Sequence, residues 1–157
     1  MIYFSIPDDP RLLAAIAKVA ITHGQLDLIL KMTIKTLTNV TPKEARDATE
    51  FQSSRELRQR VKKLAKKRLG ESDTLVRLEA LLTRSRRATE RRNALLHGIW
   101  AQELDGDAVH SKNGDEWAPP PKAEELETLA EELTNIANEL NAARLEGFLK
   151  EALERSR

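Results

Sequence analysis

Cysteine is absent from the 157 residues, which excludes disulfide staples, thiol nucleophiles and thiolate metal sites. Aromatic residues make up only 4% of the chain, and glycine and proline number six each. A β-sandwich would want more aromatic and β-branched residues and more turn punctuation, so this composition favours amphipathic helices. Long hydrophobic runs are also missing. The opening Met1-Ile2-Tyr3-Phe4-Ser5-Ile6 meets Pro7-Asp8-Asp9, too short and wrongly charged for a signal peptide. Lys18 interrupts the next apolar stretch, so no segment is expected to reach the ~18 residues needed to cross a bilayer. The expectation is one soluble, cytoplasmic domain over residues 1–157, with no membrane partner.

An excess of one charge is lacking too, since 26 basic residues face 25 acidic ones. Their distribution is uneven: residues 55–92 hold 14 Lys/Arg against 5 Asp/Glu, and residues 103–157 hold 6 against 14. A basic surface for a polyanion and a basic helix lying on an acidic one both produce that asymmetry.

Helix signals divide the chain clearly. Asp9-Pro10 is an N-cap with proline in the first turn, and the apolar positions Leu13, Ile16, Val19, Ala20, Leu26, Ile29, Leu30 and Leu37 carry the first helix to about Asn39. Thr41-Pro42-Lys43-Glu44 starts a short helix to about Glu50, and Ser53 with Glu56 starts a third that Gly70 stops. Ser72-Asp73 opens a fourth helix, running to His97 with Gly98 as its stop. Ile99–Leu104, Asp105-Gly106 and Ala108-Val109-His110 predict a small β-hairpin or ordered loop, inserted over about 99–118. Pro119, Pro120 and Pro121 then lead into a last helix of about 33 residues, striped by Leu126, Leu129, Leu133, Ile136 and Leu140 and, after a phase drift, Leu145, Phe148 and Leu149. The predicted fold is therefore all-α, a bundle of four to five helices with a hairpin before the last one.

The chemistry concentrates at the end of the fourth helix. The stripe of Leu75, Leu78 and Leu82 continues, at 100° per residue, through Ser85, Thr89, Arg92 and Leu96. Three polar residues thus stand where a hydrophobic core is expected, and a buried guanidinium is costly unless it is paired or lines a wet cleft. Asn93 and His97 are four apart and share a face that the long Arg92 side chain can reach. Together these groups can surround one phosphate.

The run Arg91-Arg92-Asn93-Ala94-Leu95-Leu96-His97-Gly98 resembles the signature of the HEPN superfamily, in which Arg, a polar residue often Asn, three further residues and His close a helix. The resemblance covers this motif, the long helices around it and the overall size. It implies a helical bundle, usually dimeric, and in many members a metal-independent ribonuclease of toxin or antiphage systems. It further implies RNA and a second copy of the chain as partners, a cognate antitoxin or regulatory protein, and no cofactor. The catalytic residues would be Arg92, His97 and Asn93, with Arg91, Arg87 and Thr89 as substrate contacts. In one subfamily a tyrosine two residues after the His is adenylylated; Ile99 stands there instead.

The implied reaction is attack of a ribose 2′-hydroxyl on the adjacent phosphorus, with one group taking its proton and another protonating the leaving 5′-oxygen. Histidine suits proton transfer near neutrality, and a twofold dimer would bring a second copy of the motif to one cleft. Blander readings stand beside this one. His97 can be a helix-terminal histidine bonded to a free carbonyl, and Arg92 can pair with a glutamate of the last helix. A non-catalytic RNA-binding or toxin-neutralising relative is the main functional alternative. His23 is either a satisfied core histidine or a group near the cleft; His110 is expected in solvent on the hairpin, and Trp100 and Trp117 are expected to pack on the bundle rather than stack on bases. No His-Glu-x-x-His, glycine-rich phosphate loop or dinucleotide fingerprint is present, so no metal site is expected.

Overall fold

In the computed structural model, which describes residues 2–104 and 106–156, the helix signals act where the sequence puts them. The Asp9 carboxylate accepts from the backbone N–H of Arg11 and Leu12 at 3.0 and 3.1 Å, and α1 runs Pro10–Thr38 until Asn39 turns left-handed at φ 57°. Thr41 and Glu44 close a reciprocal capping box on α2 (Pro42–Asp47), and Ser53 and Glu56 do the same for α3 (Ser54–Leu69). Gly70 leaves α3 at φ 60°, a conformation that favours glycine, and Ser72 then caps α4 (Asp73–Leu96). The architecture is an all-α bundle with a small antiparallel sheet.

α1 is the spine. It lies along α5 (Ala123–Leu145) and meets α3, and its buried face is Leu12, Ala15, Val19, His23, Leu26, Leu30, Ile34 and Leu37. Leu13 and Ala20, expected on that face, are exposed; Leu13 is turned away because its neighbour Leu12 is the residue that points inward. By length and composition α1 is apolar enough to cross a bilayer, contrary to the sequence expectation. In this fold it packs as the central helix of the bundle.

The core forms two clusters. One joins the far half of α1 to α3, the leucines at the start of α4, and the end of α5. The other joins the first half of α1 to the start of α5, with Ala88 of α4 and the half-buried Trp100 packed in. Each fully buried leucine contributes roughly 1.5–3 kcal/mol, so these clusters dominate the favourable side of folding.

Two elements differ from expectation. The last helix is not one piece of about 33 residues: α5 ends at Leu145, and α6 (Phe148–Arg155) starts afresh from Gly147. Both Glu146 and Gly147 donate to the Ala142 carbonyl at 3.0 Å, and a side chain on Gly147 would press on Ala142 and Ala143. The phase drift in the leucine stripe is this break, which buries Leu149 and leaves Leu145 exposed. The second difference lies at the N-terminus. Ile2–Phe4 forms a strand, β1, paired antiparallel with β2 (Ile99–Glu103), which pairs in turn with β3 (Ala108–Ser111). The hairpin expected at 99–118 is therefore the larger part of a three-stranded sheet ordered β1-β2-β3; Asp105 of its Asp-Gly turn lies outside the described residues.

Gly98 is not a left-handed stop. His97 itself caps α4 at φ −86°, and glycine is required next because a Cβ at 98 would overlap the His110 imidazole. His110 is accordingly half-buried rather than in solvent, edge-on to Trp100 at 4.9 Å between ring centroids. Burial pushes it below the ordinary histidine value.

Candidate active site

A cleft of about 910 Å³ opens where α1, the N-terminal end of α3 and the C-terminal half of α4 meet. The α4 stripe builds one wall. Ser85 and Thr89 are buried, as their phase requires, and the half-buried Arg92 follows one turn later. Arg92 Nη1 donates to Asn93 Oδ1 at 3.0 Å and to His97 Nε2. A guanidinium is permanently protonated, so His97 Nε2 is the acceptor; the ring in this contact carries its proton on Nδ1. Arg92 Nε is buried with no acceptor, and no glutamate of α5 pairs with this arginine.

Thr89 is the hub of the cleft floor. Its hydroxyl donates to the Ser85 carbonyl at 2.9 Å and accepts from Arg58 Nη1 at 3.1 Å, and His23 Nε2 lies 3.3 Å away. One hydroxyl has one proton and two lone pairs. With the proton committed to Ser85, both Arg58 and His23 Nε2 serve as donors to the same oxygen. On the other side of the ring, Asp27 Oδ2 is 3.8 Å from His23 Nδ1, and the Ser54 hydroxyl donates to the Asp27 carboxylate at 2.7 Å. Burial holds His23 below the ordinary histidine value; Asp27 opposes this, while Arg92, Arg58 and His97 add to it.

The cleft is basic. Arg55, Arg58, Lys62, Arg86 and Arg92 line it against Asp27 and Glu90, and Arg86 pairs with Glu90 at 3.2 Å. Of the residues picked from the sequence, Arg92, Asn93, His97 and Thr89 are brought together here. Arg87 and Arg91 are exposed on α4 and do not line the cleft, because the helix turns them away from the 85–89–92 stripe. Trp100 and Trp117 are half-buried and also stay outside it. Sequence reasoning missed Arg58, Asp27 and Ser54. The available signals were the i,i+4 spacing of His23 and Asp27 and an arginine at the phase of Leu57 and Val61 on α3. Among the described residues, no three His, Asp or Glu side chains gather as a metal-binding group.

Comparison with protein families, with characterised proteins and with solved structures finds no match for this chain.

Proposed function

We propose that this chain is a metal-independent endoribonuclease of the HEPN type, cleaving single-stranded RNA at a site completed by a homodimer. The observation that carries this reading is the contact of Arg92 with both Asn93 and His97 on the wall of a basic cleft. When a phosphodiester enters, Arg92 turns its guanidinium fork to the phosphoryl oxygens and releases His97 Nε2. That nitrogen then takes the proton of the ribose 2′-hydroxyl as its oxygen attacks phosphorus. The P–O5′ bond breaks, the 5′-oxygen receives a proton from the partner's His97, and the products are a 2′,3′-cyclic phosphate and a 5′-hydroxyl. Asn93 orients Arg92 through its side-chain carbonyl.

The dimer part of the proposal is supported by the outward face of α1, where Leu13, Ile21 and Leu28 are 39%, 61% and 45% exposed. The same helix carries His23 and Asp27 into the cleft from its other side, so the docking face and the cleft share α1. By resemblance, the setting is a toxin or antiphage system with a cognate restraining protein. A second reading, RNA binding without cleavage, draws on the same Arg92–His97 contact, which occupies the nitrogen that must accept the proton.

The test is incubation of wild-type and His97→Ala protein with end-labelled single-stranded RNA in EDTA, followed by analysis of the fragment ends. Cyclic-phosphate ends from the wild type alone are expected. Tight, salt-sensitive binding with intact RNA would instead favour the second reading.

A further inference from the structure

Among the described residues Arg58 is the most buried cation, and no carboxylate forms an ion pair with it. It is 9% exposed, deeper than any arginine on α4. Among the described residues its one hydrogen bond goes to the Thr89 hydroxyl, and the rest of the fork faces the cleft, free to bind a ligand. Asp27, the nearest acid of the cleft floor, already takes the Ser54 hydroxyl on both oxygens, at 2.7 and 2.8 Å. Burial lowers the Arg58 guanidinium from its ordinary value, and Asp27 and Glu90 counter this only from a distance.

A guanidinium at this depth with no carboxylate beside it costs stability, and Leu57, Val61 and Ala65 of the same helix belong to the leucine-lined seam. An apolar residue would fit the α3 stripe better. The position therefore suits a receptor for an anion. Arg92 lines the same cleft from α4 and, like Arg58 and the cleft-lining Arg55, has no carboxylate pair among the described residues; Thr89 is the shared floor.

We infer that Arg58 and Arg92 form a two-sided phosphate site across the cleft, Arg58 reaching from α3 and Arg92 from α4, and that its ligand is an RNA phosphodiester. The choice of RNA rests on the function proposed above; the anion site itself rests only on the geometry of Arg58, Thr89 and Arg92. Arg58 is a binding residue in this scheme, and Thr89 a positioning residue that aims it.

The experiment measures two things on the same preparations: the urea midpoint, and the affinity for a 2′-O-methyl single-stranded RNA, which keeps the phosphates and cannot be cleaved. Arg58→Met is expected to keep or raise the midpoint. It should weaken RNA binding roughly ten- to hundredfold and make the slope of log K against log salt shallower by about 0.7. A lowered midpoint with wild-type affinity in the folded fraction would overturn the inference and make Arg58 a structural residue. Arg58→Lys guards against a Met variant that fails to fold: one ammonium cannot serve both Thr89 and a phosphate oxygen as a fork does, so several-fold weaker binding is expected, and unchanged binding would overturn the inference. Inorganic phosphate separates the sources. If the wild type ignores RNA while phosphate raises its midpoint through Arg58, the anion site stands and the ribonuclease reading fails; if neither ligand binds, both fail.

Discussion

The two halves of α4 occupy the same helical stripe and do opposite things with it. Leu75, Leu78 and Leu82 fill an apolar seam against α1, α3 and α6, Leu82 at its border with the cleft, whereas Ser85, Thr89 and Arg92, continuing the same phase, hold a polar network around a basic cleft. The arginines follow the same division. Arg84 lies outside the stripe and forms a fork with Glu139 at 2.7 and 3.0 Å, while Arg58 and Arg92 are drawn inward without a carboxylate. Its hydrogen bonds to Glu139 raise Arg84; burial lowers Arg58. The comparison teaches where stability is made and where it is given up: the leucine half secures the fold, and the polar half keeps charge at a cost that only a ligand would offset.

Three changes test that division, in descending size. Leu78→Ala in the apolar half, where the side chain is fully buried, is expected to cost about 2–5 kcal/mol in urea unfolding. Activity per folded molecule should stay the same, and a large activity loss without a stability loss would erase the distinction between the halves. Thr89→Val in the polar half removes the acceptor of Arg58 and the donor to the Ser85 carbonyl, for an expected cost of about 1–3 kcal/mol. Here RNA binding should fall with stability, because the hydroxyl aims the cation as well as completing the network.

The third change is in pH. Burial depresses both His23 and His110, so the unfolded chain takes up protons before the folded one does. Their contribution is full above pH 6.5, the ordinary histidine value, and is lost as pH falls through the depressed folded values. His23→Gln should flatten that part of the profile, and Leu78→Ala should leave its steepness unchanged, since neither His23 nor His110 is part of the leucine seam. A second decline, below the ordinary carboxyl value of 4.5, belongs to Glu44 and Glu56, held low by hydrogen bonds from Thr41 and Ser53.

Local signals carried most of the fold into the sequence. The Asp9, Thr41, Ser53 and Ser72 caps each bond a neighbour two or three residues away, so they were legible without tertiary knowledge. The strand at Ile2–Phe4 was not, because its partner lies about a hundred residues on, although a run of Ile, Tyr and Phe before Pro7 has the right composition for a strand. Gly98 was seen as punctuation and is in fact a point of close approach to a side chain on another strand. The α4 wall of the cleft was readable as one interrupted stripe. Arg58, Asp27 and Ser54 come from other helices, and nothing within either helix alone says that α1 and α3 meet α4 at those residues.

The most direct test of this account is Arg92→Met, with urea unfolding and RNA cleavage in EDTA measured on one sample. A midpoint equal to or above that of the wild type, with cleavage reduced at least ~100-fold, is the predicted result, because the cation is held for the reaction and not for the fold. A clear fall in the midpoint with cleavage retained would contradict it and return Arg92 to the structural arginines of the bundle.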